Sequence, residues 1–144
     1  MGFSGKRYFS CKTFPLTVKK ILLIEDESLI RSSLARALRK DGVVIFEAAN
    51  CQEAREKLME EECDLAILDL YLEDGMHGLN FISEIRRQIP RVKIIVITAF
   101  GSAEIREAAI KQGIDRFYDK PFEIEIIRNA VNDLFSEKVQ SRAS

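Results

Sequence analysis

From Lys20 onward the chain alternates short apolar runs with longer segments in which apolar residues recur at helical spacing. That alternation predicts a parallel sheet wrapped by helices, because parallel strands need long crossovers and both faces of the sheet must be covered. Four runs rich in Val, Ile and Leu are strand candidates: Ile21 to Ile24, Val43 to Ala48, Leu65 to Leu68 and Lys93 to Thr98, with a shorter fifth at Arg116 to Asp119. Between them, Ser28 to Lys40 places Ile30, Leu34, Ala37 and Leu38 on one helical face, and Gly42 follows as a stop signal. Asn50 with Glu53 three residues on reads as a capping box that opens a second helix, with Ala54 and Leu58 turned inward. Leu79 to Gln88 ends before Pro90, and Ser102 to Gln112 ends at Gly113. Glu123 to Leu134 follows Pro121 and carries Ile126, Ile127, Ala130 and Leu134 on one stripe. The pattern is five βα units in one α/β domain over residues 20–136, between an N-terminal extension, 1–19, and a polar tail, 137–144.

Size and composition agree with that division. The 144 residues are 47% hydrophobic and 31% charged, which suits one domain with a real core. The extension holds Lys6, Arg7, Lys12 and Lys19 with no acid, so it is basic, is expected to be disordered and is set aside from the fold. The remainder carries all 23 acidic residues and is net negative, which disfavours direct binding to a nucleic-acid backbone. Cys11, Cys51 and Cys63 are odd in number and lack CxxC spacing, so neither a disulfide framework nor a zinc knuckle is expected, and a cytoplasmic setting is. No apolar run exceeds four residues, against the roughly 20 a membrane helix needs, so no membrane association is expected.

In an open parallel α/β sheet, ligands bind in the crevice at the carboxyl ends of the strands. Those positions are polar here: the first strand runs into Glu25 and Asp26, the third into Asp69, the fourth ends on Thr98, and the fifth runs into Lys120. No glycine-rich loop follows the first strand, which disfavours a dinucleotide site. Three carboxylates converging on one point repel one another unless a cation lies between them. Oxygen ligands with no His or Cys nearby suit Mg²⁺ or Mn²⁺ rather than zinc. A carboxylate can attack phosphorus, and a Lys ammonium and a Thr hydroxyl can stabilise the equatorial oxygens, so the set describes a phosphoryl site. Asp69 stands alone after the central apolar strand and is the better nucleophile, whereas the adjacent Glu25 and Asp26 are better placed to hold metal. A single Asp after a strand is commonly a helix cap. The constellation singles Asp69 out.

The runs ILLIEDES, LAILDLYL, IIVITAF and DKPF, in that order, resemble the response-regulator receiver family of two-component signalling, over about residues 20 to 136. The resemblance implies a flavodoxin-like, doubly wound sheet of five parallel strands in the order 2-1-3-4-5 with five helices. It implies that Asp69 accepts a phosphoryl group from a histidine kinase or a His-phosphotransfer protein, beside Mg²⁺ held by Glu25, Asp26, Asp69 and the backbone carbonyl of Tyr71. Thr98 then matches the hydroxyl that moves to the phosphoryl group, Lys120 the contact lysine before a cis Pro121, and Phe117 the aromatic switch. The responding face is helix 4, strand 5 and helix 5, where partners dock or a phosphorylation-dependent homodimer forms. Such a domain is a signalling phosphoacceptor, not a turnover enzyme.

Several positions depart from the family pattern. Glu25 stands where Asp is commoner, which implies altered metal affinity. Glu73 occupies a frequent proline position in a loop one residue longer than usual before Gly78, which implies a more mobile acceptor loop. Asp119 is an unusual acid directly before Lys120, and strand alternation turns it away from the pocket. Tyr71 and Phe100 are bulky aromatics at the two positions where the family tunes water access to the acyl phosphate, so slow autodephosphorylation is expected. His77, the only histidine, lies in a polar loop and reads as solvated; Cys51 and Cys63 read as small apolar residues. Two other classes remain. A metal-dependent phosphatase with an aspartyl-phosphate intermediate would want an acid two residues after Asp69, where Tyr71 stands. A degenerate receiver acting as a phosphorylation-independent binding module would not need the complete set of acids, Thr98 and Lys120. Only a short, mostly polar stretch follows Ser136, so the chain reads as a stand-alone receiver or a piece of a larger regulator, with its effector undetermined.

Overall fold

Strand β1 (Lys19–Ile24) shows why the sheet forms: its last four residues, Ile21 to Ile24, are each at most 1% exposed, so both faces of the strand are covered. The computed structural model describes residues 18–72 and 78–137. In chain order, α1 is Ser28–Leu38, β2 Val43–Ala48, α2 Cys51–Glu60, β3 Leu65–Leu68, α3 Gly78–Gln88, β4 Lys93–Thr98, α4 Ala103–Lys111, β5 Arg116–Asp119 and α5 Ile124–Ser136. All five strands are parallel, in the order β2-β1-β3-β4-β5.

Strand alternation sorts the core into two layers. Ile21, Leu23, Leu65, Ile67, Ile95 and Ile97 face α1 and α5, where they meet Leu34, Leu38, Ile127 and Leu134. Leu22, Ile24, Ala66, Leu68, Ile94 and Val96 face the other way, against Ala54, Leu58, Phe81, Ile82 and Ile85. At the edge strand β5, Phe117 belongs to the second layer and Tyr118 to the first, opposite faces as their spacing requires.

The helix boundaries follow the capping signals. Asn50 Oδ1 accepts from the backbone N–H of Glu53 at 2.8 Å, while Glu53 Oε1 accepts from the N–H of Ala49 at 2.7 Å, one residue before the cap, whose own N–H is the usual reciprocal partner. Ser102 Oγ caps α4 through the N–H of Ile105 at 3.2 Å, and Gly113 ends that helix at φ +84°, a conformation that favours glycine. Two inward faces differ from the sequence pattern. Ala35, not Ala37, joins Leu34 and Leu38 in the core of α1, which stops at Leu38, two residues early. Ile126 is 45% exposed, and Val131 takes its place on the buried stripe of α5. In both helices the periodicity marks a stripe wide enough for two registers, and packing on the sheet selects one.

Gly78 starts α3 directly against the segment that follows Asp69: a Cβ there would lie 2.6 Å from Leu70 Cα. The expectations for Glu73 and His77, for the extension before Val18 and for the tail after Glu137 lie outside the described residues. Among the described residues no helix is long and apolar enough to cross a membrane. Replacing Asn50 with Ala should cost about 1 kcal/mol, the usual worth of an N-cap, read as a lower urea midpoint at unchanged slope.

Candidate functional site

The parallel ladder continues one residue beyond several strands, and that continuation aims the polar side chains. Glu25 N–H donates to Ala48 O at 3.0 Å, Asp69 N–H to Ile24 O at 3.2 Å, and Lys120 N–H to Thr98 O at 2.9 Å. Three chain ends are thereby held on one edge of the sheet. The peptide bond from Lys120 to Pro121 is cis, as the family resemblance implied.

Glu25, Asp26 and Asp69 each present a carboxylate oxygen, and these oxygens lie within 4.8 Å of one another. Glu25 is 3% exposed and Asp69 5%, so their charges are not dispersed by water. Lys120 supplies the opposing charge: its Nζ lies 2.8 Å from Asp69 Oδ2 and 2.9 Å from Glu25 Oε1. Burial works against the ammonium, but the hydrogen bonds to Asp69 and Glu25 outweigh it and hold its pKa above the ordinary lysine value. Burial raises Glu25 above the usual carboxylate range, with the Lys120 bond opposing that rise.

The rest of the pocket is ordered around these groups. Asp69 Oδ1 accepts from the N–H of Tyr71 at 2.9 Å, which leaves Oδ2 to the lysine. Thr98 is fully buried, and its Oγ1 accepts from the N–H of Phe100 at 3.4 Å. Tyr71 and Phe100 meet edge to face, ring centroids 5.4 Å apart, and Phe100 is 67% exposed. All-oxygen donors in this arrangement fit a hard divalent cation, and the three acids form a cluster that could bind one.

The structure brings Glu25, Asp26, Asp69 and Lys120 together and buries Thr98 at the end of β4 on the same edge. Phe117 lies one strand away, half-buried, and no contact is described between it and Thr98. Three neighbours escaped the sequence reading. Glu27 Oε1 is 3.2 Å from Lys120 Nζ, a third acid on the same ammonium. Arg31 donates through Nη1 to the carbonyl of Glu25 at 2.6 Å and fixes the turn that presents the acids. Arg106 pairs with Asp119 and accounts for that residue's direction, away from the pocket. The run of acids from Glu25 to Glu27 was a signal for the first; nothing at short range marks the arginines. Cys51 and Cys63 are buried, and burial pushes the Cys63 thiol up to about 12, consistent with an inert packing role.

Known proteins resemble this chain in sequence and fold. The response regulator receiver domain family matches residues 21–132, and the chain belongs to that family. It is 35% identical over 115 residues to the chemotaxis protein CheY of Thermotoga maritima, covering 79% of this chain and 95% of that one. Among solved structures, the beryllofluoride-activated NtrC4 receiver domain dimer matches with TM-score 0.75 at 35% identity, over 82% of this chain and 97% of that one. A response regulator from Burkholderia pseudomallei, determined with a phosphorylated aspartic acid, a calcium ion and citrate, matches with TM-score 0.69 at 27% identity, over 82% of this chain and 73% of that one. Other curated relatives are longer: the chain spans 32% of one and 51% of another. The chain is thus a receiver domain of two-component signal transduction.

The charge balance in the pocket yields a direct test. Lys120→Met in metal-free buffer should cost about 3 kcal/mol at neutral pH, because it leaves two buried carboxylates facing each other unpaired. Glu25, raised by burial and no longer opposed by the Lys120 bond, takes up a proton more readily folded than unfolded, so the loss should shrink as pH falls through the carboxylate range. Millimolar Mg²⁺ should restore part of the loss, all read from chemical unfolding.

Proposed function

We propose that Asp69 accepts a phosphoryl group from the phosphohistidine of a histidine kinase or a His-phosphotransfer protein, and that this switches the face formed by α4, β5 and α5. The carrying observation is the buried Asp69 carboxylate, isolated at the end of β3 with Lys120 Nζ at 2.8 Å and Glu25 and Asp26 beside it. In the transfer, Asp69 forms a P–O bond as the P–N bond to the donor imidazole breaks, and the imidazole keeps the bond's electrons and takes up a proton. Glu25, Asp26, Asp69 and the backbone carbonyl of Tyr71 would hold Mg²⁺, or Mn²⁺ in its place. Bound there, the ion supplies charge for the phosphoryl oxygens and relieves the repulsion among the acids. Lys120 donates to those oxygens, and the Thr98 hydroxyl turns toward them, giving up its bond from Phe100 N–H. Phe117 then moves inward as Thr98 leaves its place.

The donor has a surface to dock on. Beside Lys120 a groove of about 510 Å³ runs between the start of α1 and the loop after β5, lined by Leu29, Ile30, Leu34, Pro121, Phe122 and Ile124. Leu29 is 78% exposed there, an apolar side chain that a docked donor would cover. On the output side, Ile110 of α4 and Ile126 of α5 are exposed apolar residues, open to a partner or to a second copy in a phosphorylation-dependent homodimer.

Incubation with Mg²⁺ and acetyl phosphate should add one phosphoryl group to the intact mass. The gain should be labile to hydroxylamine and absent in Asp69→Asn. No gain, with the protein folded and metal bound, would instead make the domain a phosphorylation-independent binding module. The Tyr71 and Phe100 ring pair supports slow hydrolysis, because it screens the acceptor side from water. Tyr71→Asn combined with Phe100→Glu should therefore shorten the lifetime of the phosphorylated form, and an unchanged lifetime would remove the rings from the account.

A further inference from the structure

A cluster on the side of β5 away from the acids joins three elements. Arg106, in the first turns of α4, places its guanidinium 4.4 Å from the centre of the Phe117 ring. The same guanidinium donates through Nη2 to Asp119 Oδ2 at 3.1 Å. Phe117 and Asp119 are two residues apart on one strand and so share a face, which lets one planar cation grip both. The loop between β4 and α4 lies under this grip. A Cβ at Gly101 would come within 2.6 Å of Asp119 Oδ1 and 2.8 Å of Phe117 Cε1, so only glycine lets the loop rest on both side chains.

We propose that Arg106 is a latch: it holds Phe117 and the β4–α4 loop in the arrangement described here and opposes the change that follows phosphorylation. The inference rests on the receiver reading above and adds a residue that no family motif supplied. Its logic is positional. Thr98, Phe100 and Gly101 are one short stretch, so a movement of Thr98 toward Asp69 displaces the loop that packs on Phe117 and Asp119. Lys120, next to Asp119, is bonded through its N–H to Thr98 O, so the gripped strand is continuous with both donors to the phosphoryl group. A cation stacked on Phe117 in one arrangement loses that face when the ring turns inward, and a ligand that selects the second arrangement must overcome the loss. The competing account is a surface ion pair that merely fastens α4. Arg106 and Asp119 side chains are 43% and 56% exposed, and such a pair would weigh equally in both arrangements and leave phosphoryl-site affinity unchanged.

The experiment titrates beryllofluoride into the full chain with saturating Mg²⁺, following the Gly101 amide by NMR, for wild type, Arg106→Ala, Arg106→Lys, Asp119→Asn and the Ala/Asn double variant. The latch predicts beryllofluoride binding about fivefold tighter in Arg106→Ala, the combined worth of an exposed cation–π contact and ion pair. Arg106→Lys should fall between, because it keeps the charge and loses the planar stack. The double variant should bind no more tightly than Arg106→Ala, and the gap to wild type should narrow as salt screens the pair. Mg²⁺ affinity alone should not change, since Arg106 touches no acid of the cluster. Equal or weaker binding in Arg106→Ala, with a native spectrum and wild type binding normally, overturns the latch and leaves the receiver reading intact. Should Arg106→Ala not fold, the milder Arg106→Lys and Asp119→Asn decide, with wild-type affinity in both counting against the latch. Failure of wild type itself to bind beryllofluoride with Mg²⁺ overturns both.

Discussion

Everything distinctive about this domain depends on keeping Glu25 and Asp69 buried and close together with like charge. Repulsion between carboxylates grows as water is withdrawn, so such a pair survives only if backbone geometry enforces it and a cation offsets it. Here the enforcement is the parallel ladder, which extends past the strands to place Glu25 beside Ala48, Asp69 beside Ile24 and Lys120 beside Thr98. The offset is the ammonium of Lys120, shared among Asp69, Glu25 and the more exposed Glu27. Neither device works alone. A stiff edge without the lysine would bury uncompensated charge, and a lysine on a loose loop would not hold its oxygens at hydrogen-bonding distance.

The apolar sheet is what makes the edge stiff. Strands β1 and β3 are buried on both faces, and their alternating residues serve separate layers, so a slip of one residue would exchange the two cores. That constraint is also why the architecture could be read from the chain. Continuous apolar runs in Ile21 to Ile24 and Leu65 to Leu68 can be satisfied only by double-sided burial, and the helical stretches between them supply the covers. The strand bounds came within two residues, and the caps at Asn50 and Ser102 formed as their side chains allow. The inward faces of α1 and α5 were less legible. Ala35 against Ala37, and Val131 against Ile126, differ by how each helix rolls on the sheet, a tertiary property that periodicity does not contain.

The site was legible for the same reason as the sheet. Acids, a threonine and a lysine at four strand ends have only one edge to share, whatever the details of the loops. What stayed hidden were contacts made at long sequence separation by flexible side chains: Arg31 on the Glu25 carbonyl, Glu27 on Lys120, and Arg106 across Phe117 and Asp119. Each depends on the relative placement of two elements, and none has a spacing rule. Asp119 illustrates the limit: alternation gave its direction correctly, and only the packed structure supplied its partner.

The same geometry bears on why such a site would store a state rather than turn over substrate. Rapid hydrolysis of an acyl phosphate needs a water held in line and a group to take its proton. Two residues beyond Asp69, where a second acid would serve, stands Tyr71, its ring against Phe100. Lys120, 2.8 Å from Asp69, is held protonated by its carboxylate partners, so it would donate to phosphoryl oxygens and not accept a proton from water. On the proposed reading, donors that stabilise transfer onto Asp69 also stabilise its product, and a lysine that stays protonated does not activate water against it. The modified state then lasts long enough to act through the backbone that joins Thr98 to the loop on β5. On that reading, the donors that make Asp69 an acceptor also help to hold the signal it carries.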